Sequence, residues 1–192
     1  MARYEKGHKE ETRQRILDVA ARQFRERGIS AAGLAGIMME AGLTNGAFYF
    51  HFGSKEDLIR TVLDDALARR EHIWRKLTDG EDGFSTMIGD YLSPRHRDDP
   101  SGGCPTAAMV AEIAREPAST RSAFTGRIAA IVARIAAKVK GTSAAQREAD
   151  ALAIYALMVG SLQLARAVND QRLSDRILQS GAAAARRLAG EQ

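Results

Sequence analysis

Apolar positions recur with the helical period along nearly the whole chain, and no stretch alternates with the two-residue period of a strand. Leu17, Ala20, Ala21 and Phe24 stand at i, i+3, i+4 and i+7, which predicts a helix over residues 12–27 that Gly28 stops. Residues 34–41 read as a short apolar helix, and Gly42 as the positive-φ turn that ends it. Thr44 is placed to cap a second short helix. In that helix Phe48 and Phe52 share the inner face, while Tyr49 points about 100° away towards solvent. Ser54 and Asp57 make a capping-box start for a longer helix over residues 54–78, about 36 Å at 1.5 Å per residue. Ile59, Val62, Leu63, Ala66, Ile73, Trp74 and Leu77 supply its apolar positions. Further helices are predicted over residues 82–92, 105–116, 118–140, 144–169 and 173–189, with residues 93–103 a loop because of their prolines and paired glycines. The expected fold is all-α. A three-helix unit over residues 1–53 shares its small core around Phe24, Ile37, Phe48 and Phe52, and the helix from residue 54 joins it to a larger helical body over 54–192.

Two short helices joined by about three residues containing a glycine suggest a helix-turn-helix. The chemistry suited to that shape is docking on duplex DNA, in which the second helix enters the major groove by its N-terminal half. Small or polar residues belong there, and Thr44, Asn45, Gly46 and Ala47 qualify. Tyr49 and His51 fall where a helix flank meets phosphates. Lys55 adds a charge at a helix N-terminus, whose free N–H groups already favour an anion. Each of these residues also has a plain structural reading: a half-buried aromatic, a structural histidine, a solvated lysine. Their common spacing is what favours the interface. Residues 1–9 read as a mobile arm from which Arg3, Lys6 and Lys9 reach DNA, or as a solvated terminus.

These residues carry a resemblance. Gly28, Ile37, the run from Ala41 to Thr44, the run from Phe48 to Phe52 and the run from Ser54 to Leu58 resemble the DNA-binding domain of TetR-family transcriptional repressors, over about the first third of the chain. The resemblance implies that Thr44, Gly46 and Tyr49 contact DNA, and that His51 and Lys55 hold phosphates. Two positions depart from the family pattern. Gly33 opens the first helix of the motif without the usual hydroxyl, and Met38 replaces a small residue near the helix crossing.

Composition changes this picture little. With 192 residues and 45% hydrophobic content the chain can bury a sizeable core, and a net charge of +4 permits nucleic-acid binding without requiring it. The single cysteine, Cys104, excludes an internal disulfide and fits a reducing compartment; no Lys, Arg or His neighbours it in sequence. The charged first residues do not resemble a signal peptide, and the longest uncharged apolar run, residues 151–165, is short for a bilayer span. A soluble cytoplasmic protein without a membrane partner is expected. Scattered histidines, and the lack of a metal spacing, phosphate loop or nucleophile elbow, argue against an enzyme and call for no cofactor or metal.

The larger body is rich in aromatic and soft side chains: Trp74, Phe84, Met87, Tyr91 and Cys104, then Met109, Ile113, Phe124, Tyr155 and Met158. Such a set fills an ordinary core or lines an apolar pocket. The family resemblance implies the pocket, and hence a small, mostly apolar effector. One helix-turn-helix offers few base contacts, so a homodimer on a pseudo-palindromic operator is expected. The last two helices supply the expected interface through Leu152, Val159, Leu162, Leu173, Ile177, Gly181, Ala184 and Leu188. The function expected is a DNA-binding regulator, a repressor released from its operator by the effector. The alternative is a helical protein-binding scaffold, which leaves Tyr49, His51 and Lys55 without a task.

Overall fold

The computed structural model describes residues 2–78, 80 and 82–191, with side chains from Gly7 onward. Ten helices and no strand occur among the described residues. They are α1 (Ala2–Arg27), α2 (Leu34–Glu40), α3 (Asn45–Phe48), α4 (Lys55–Leu77), α5 (Gly83–Tyr91), α6 (Pro94–Asp98), α7 (Pro105–Ile113), α8 (Ala118–Ala136), α9 (Ala144–Ala167) and α10 (Gln171–Ala189).

Three departures from the sequence expectation have a local reason, while α7 ends three residues and α8 four residues short of the expected bound. The arm expected over residues 1–9 is helical from Ala2, because its Arg, Glu and Lys residues are good helix formers and one Gly is too small a penalty to stop them. Of the cations expected there, Lys9 is exposed, while the side chains of Arg3 and Lys6 lie outside the described residues. The loop expected over 93–103 contains α6. Ser93 caps it by accepting the His96 N–H at 3.2 Å, and Pro94 occupies its first turn, where the missing N–H costs nothing. Arg97, buried, then bridges α6 to α10 through Asp175 at 2.6 Å and Ser174 at 3.0 Å. The second helix of the motif is short: α3 ends at Phe48, and Tyr49 to His51 continue as a turn.

Two hydrophobic cores share the molecule. The smaller one packs Phe24, Ile37, Met38, Phe48 and Phe52 against Leu58 and Leu63 of α4. Fully burying a side chain of this size stabilises by about 1.5–3 kcal/mol, and truncating Phe48 to alanine would cost about 3–5 kcal/mol once the cavity is counted. Met38 is fully buried at the helix crossing, so α2 absorbs the larger residue inside the core. Met109 and Ile113 of α7 also belong to this core. They were expected to line an effector pocket in the larger body; the face of α7 that carries them turns instead towards the helix-turn-helix.

The larger core gathers Trp74, Met87, Tyr91, Cys104, Tyr155 and Met158, with Phe84 at its edge and Phe124 packed against both cores. Ile73, expected inside, is 47% exposed because Trp74, one step round α4, takes the inward position. α9 and α10 form the tightest pair. A Cβ on Gly181 would sit 2.4 Å from Ser161 Oγ, so glycine is what lets the two backbones close up there. By length and composition α9 is the one described helix able to cross a bilayer, yet it is the central helix here, packed on α7, α8 and α10.

The expected dimer residues divide three ways. Val159 and Leu162 are buried inside the protomer, since the inner stripe of α9 is wider than one row of side chains. Leu152 is 51% exposed but faces a groove beside α8. Leu173, Ile177, Ala184 and Leu188 lie on the outer face of α10, joined there by Leu157 and Leu164 of α9, while Gly181 sits beneath them against Ser161.

Candidate nucleic-acid interface

The turn between α2 and α3 is a Schellman motif. Gly42, at φ +72°, donates its N–H to Met39 O at 3.0 Å, and Leu43 donates to Met38 O at 2.9 Å. The chain then leaves α2 in a defined direction, and Thr44 takes the extended conformation of an N-cap without its hydroxyl bonding the helix. Thr44, Asn45 and Gly46 are all exposed there. A Cβ at Gly33 would meet nothing within 4 Å, and one at Gly46 only Thr44 Oγ1 at 4.0 Å. Neither glycine is needed by the protein's own packing, which leaves room for a partner to approach both backbones.

Phe48 and Phe52 anchor α3 from below, their rings stacked with centroids 5.7 Å apart. Tyr49 meets Phe48 edge-on at 5.3 Å and is 71% exposed, so its hydroxyl is held outward by a ring that cannot tilt inward. Arg13 of α1 lies over the Phe52 ring at 5.0 Å. Two exposed apolar side chains were not singled out from the sequence: Phe50 and Met39, each 77% exposed. Their exposure is invisible to periodicity, because Phe50 lies in the turn after α3.

The start of α4 completes the surface. Ser54 Oγ accepts the Asp57 N–H at 3.0 Å, and the Asp57 carboxylate accepts the Gly53 N–H at 3.2 Å. The capping box closes as expected, with its return bond one residue earlier. Arg60 binds Asp57 at 2.7 Å, and this bond is the chief cause that holds the Asp57 carboxyl below its usual range.

The two residues expected to hold phosphates are both half-buried. Lys55 Nζ donates to Ile29 O at 3.0 Å, so its charge stands at the edge of the interface while pinning the turn between α1 and α2. His51 is half-buried with Nδ1 lacking a partner. Burial first, then the nearby charges of Lys9 and Arg13, push its pKa down, so near neutrality it presents an uncharged ring. Gly33, Thr44, Asn45, Gly46 and Tyr49 are exposed, whereas His51 and Lys55 are half-buried.

Comparison with known proteins agrees with this geometry. The family model described as bacterial regulatory proteins, tetR family, matches residues 16–62. The regulator AcrR of Shigella flexneri is 48% identical over 62 residues, which are 32% of this chain and 29% of that one. The regulator TtgR of Pseudomonas putida is 39% identical over 75 residues, 39% of this chain and 36% of that one. The chain thus spans about a third of the length of the curated relatives it matches. Similarity of fold extends further. The reduced form of NemR from E. coli superposes with a TM-score of 0.78 at 21% identity, over 92% of this chain and 96% of that one. A TetR-family regulator from Streptomyces coelicolor gives 0.67 at 25% identity, over 94% and 97%. With the matched motif folded as a helix-turn-helix on a helical body of the same course, residues 16–62 are similar to the DNA-binding segment of the tetR family of bacterial regulatory proteins, and the whole chain shares the fold of solved TetR-family regulators.

Proposed function

We propose that this protein is a cytoplasmic transcriptional repressor that binds operator DNA as a homodimer and leaves it when a small, mostly apolar effector binds. The observation that carries the reading is the two-sided build of α3: Phe48 and Phe52 fix it in the core while Thr44, Asn45, Gly46 and Tyr49 face solvent together. A buried anchor with an exposed polar edge is what groove reading requires. Two copies of that element roughly double the binding free energy on a palindrome, and the outer apolar face of α9 and α10 supports their pairing.

The effector reading is supported by the aromatic centre of the larger core. Trp74 meets Tyr91 and Tyr155 edge-on, at 5.8 and 6.1 Å, and the Tyr91 hydroxyl is buried without a partner among the described residues. Tyr155 donates to Thr106 Oγ1 at 2.8 Å and, with Phe124, lines a pocket of about 330 Å³ between α7, α8 and α9. α4 and α7 each touch both cores, so either transmits a shift of the body to the recognition surface. A differential affinity of ~1–3 kcal/mol between the two arrangements suffices for a 5- to 150-fold change in DNA affinity.

The test is selection of bound sequences from random DNA by the purified protein. Recovery of a two-fold symmetric site, bound with a steep salt dependence, is the expected result. Failure to enrich any sequence at low ionic strength would overturn the reading.

A further inference from the structure

A cleft of about 430 Å³ lies between α1, α4 and the loop that precedes α7, well away from α3. Its walls carry four guanidinium groups, Arg22, Arg25, Arg69 and Arg70, against two carboxylates, Asp18 and Asp65. Arg69 takes both carboxylates, at 2.8 and 2.9 Å, and Arg22 pairs with Glu40 outside the cleft. Two cations therefore remain. Among the described residues Arg25 bonds only Ser101 O, at 2.5 Å, and Arg70 only Gly102 O, at 3.3 Å, and neither has a carboxylate within ion-pair distance.

A guanidinium has five N–H donors in a planar fork. One donor from each arginine holds the loop, which leaves both Nη groups of Arg25, and Nε and Nη1 of Arg70, without a protein partner among the described residues. The two groups also repel. Burial first, and Arg70 second, lower the pKa of Arg25, and the more distant charge of Asp99, which is taken up by Ser101 and the Gly102 N–H, opposes them only in part. Holding two long side chains in that arrangement costs side-chain entropy, and their like charges repel. An anion between them supplies the missing acceptors and reverses the sign of the local electrostatics, most effectively with two oxygens in one plane. Apolar side chains share the lining: Ala66 and Ile73 flank Arg69 and Arg70 along α4, and Pro105 stands at the start of α7, with Ile73 47% exposed. The volume suits a compact ligand.

We infer that this cleft binds a small organic anion, a carboxylate or phosphate carried on a compact apolar body, with Arg25 and Arg70 on the anionic group and Ile73 against the apolar part. None of the aromatic residues discussed above lines the cleft, although the Arg70 charge acts on Tyr91 and Tyr155, and the cleft spans two parts of the molecule. α1 belongs to the smaller core and the loop leads into Cys104 of the larger one, so a bound anion ties them together.

The experiment is calorimetric titration of the whole chain with benzoate and with phenyl phosphate at constant ionic strength. The two probes share one ring, so the tighter one identifies the anionic group. Wild-type protein is expected to bind at least one of them. Arg25→Gln and Arg70→Gln are each expected to weaken binding about tenfold or more, as loss of a charge-assisted contact implies. Arg70→Lys, which keeps the charge and loses the fork, falls between. Arg187→Gln on the exposed side of α10 leaves binding unchanged. Arg70→Gln gives up only a 3.3 Å bond, so it tests the site even if Arg25→Gln perturbs the loop. No heat beyond dilution with either probe, or equal affinity in wild type and both glutamine variants, overturns the assignment.

Discussion

Glu112 of α7 accepts the backbone N–H of Ser30 at 2.9 Å and that of Ile29 at 3.1 Å. From the other side Lys55 donates to Ile29 O, so the turn between α1 and α2 is clamped by one residue of the body and one at the head of α4. Charge-assisted bonds of this kind contribute about 1.5–3 kcal/mol each before losses to solvent. Glu112→Ala is expected to lower unfolding free energy by roughly 1–3 kcal/mol at neutral pH, measured by urea denaturation. The two N–H donors outweigh burial and hold the Glu112 pKa below its ordinary value. Its contribution is therefore full above the unfolded pKa and is lost as pH falls through the folded one, so the gap between wild type and variant should close in acid. A gap that stays constant with pH would show that the carboxylate charge is not what holds the turn.

Tyr49 offers the cleanest separation of DNA binding from stability. At 71% exposure, with its ring only edge-on to Phe48, Tyr49→Ala is expected to leave the unfolding midpoint nearly unchanged, within about 0.5–1 kcal/mol, while operator affinity falls about tenfold or more. Fluorescence anisotropy on the selected operator, beside a denaturation curve, reads both. Lys55→Ala should differ on both axes. It gives up the bond to Ile29 O, about 0.5–1.5 kcal/mol of stability, and lowers the salt slope of binding by about one phosphate contact or less.

His96 is buried between two backbone groups. Its Nδ1 faces Tyr91 O at 2.7 Å, and its Nε2 accepts the Cys104 N–H at 2.9 Å, which fixes the neutral tautomer with the proton on Nδ1. Burial pushes its pKa down to about 4. The unfolded chain, with a value near 6.5, binds the extra proton first. Stability is thus expected to be level above about pH 6.5 and to decline by on the order of 2 kcal/mol as pH drops towards 4. His96→Gln should be less stable at pH 7 and should lack that slope. A variant with the same acid slope as wild type would assign the slope to the carboxylates.

The outer face of α9 and α10 supplies a fourth test. Leu164 is 59% and Leu173 36% exposed in the protomer, so Leu164→Arg and Leu173→Arg remove little of its own packing. Sedimentation is expected to show a dimer for wild type and monomers for the double variant at the same concentration, with binding to the palindromic site weakened far more than binding to a half-site. An unaltered sedimentation coefficient would move the interface elsewhere.

Much of this was readable in the residues alone. The periodicity of Leu17 to Phe24, the glycine at 42 and the capping pair Ser54 and Asp57 each encode a local rule, and local rules survive folding. Even α6 had a signature in Ser93-Pro94, hidden by the prolines and glycines around it. What could not be read was whatever needs distance. Val159 and Leu162 share α9 with Leu157 and Leu164, and a helix that is apolar on three sides does not say which side meets a partner. Arg25 and Arg70 are 45 positions apart and meet a loop that follows both. Cys104 has no cation beside it in sequence, yet the His96 ring reaches its N–H across eight residues.

The smaller core completes itself with Leu58, Val62 and Leu63 from α4 and with Met109 and Ile113 from α7. The familiar segment over residues 16–62 is accordingly no self-sufficient cassette. Cut out, it would present an oily seam where α7 had lain; spliced onto a foreign body, it would inherit whatever that body places in the gap. Engineers who wish to change what α3 reads should move residues on its outer edge and leave the seam with its native occupant.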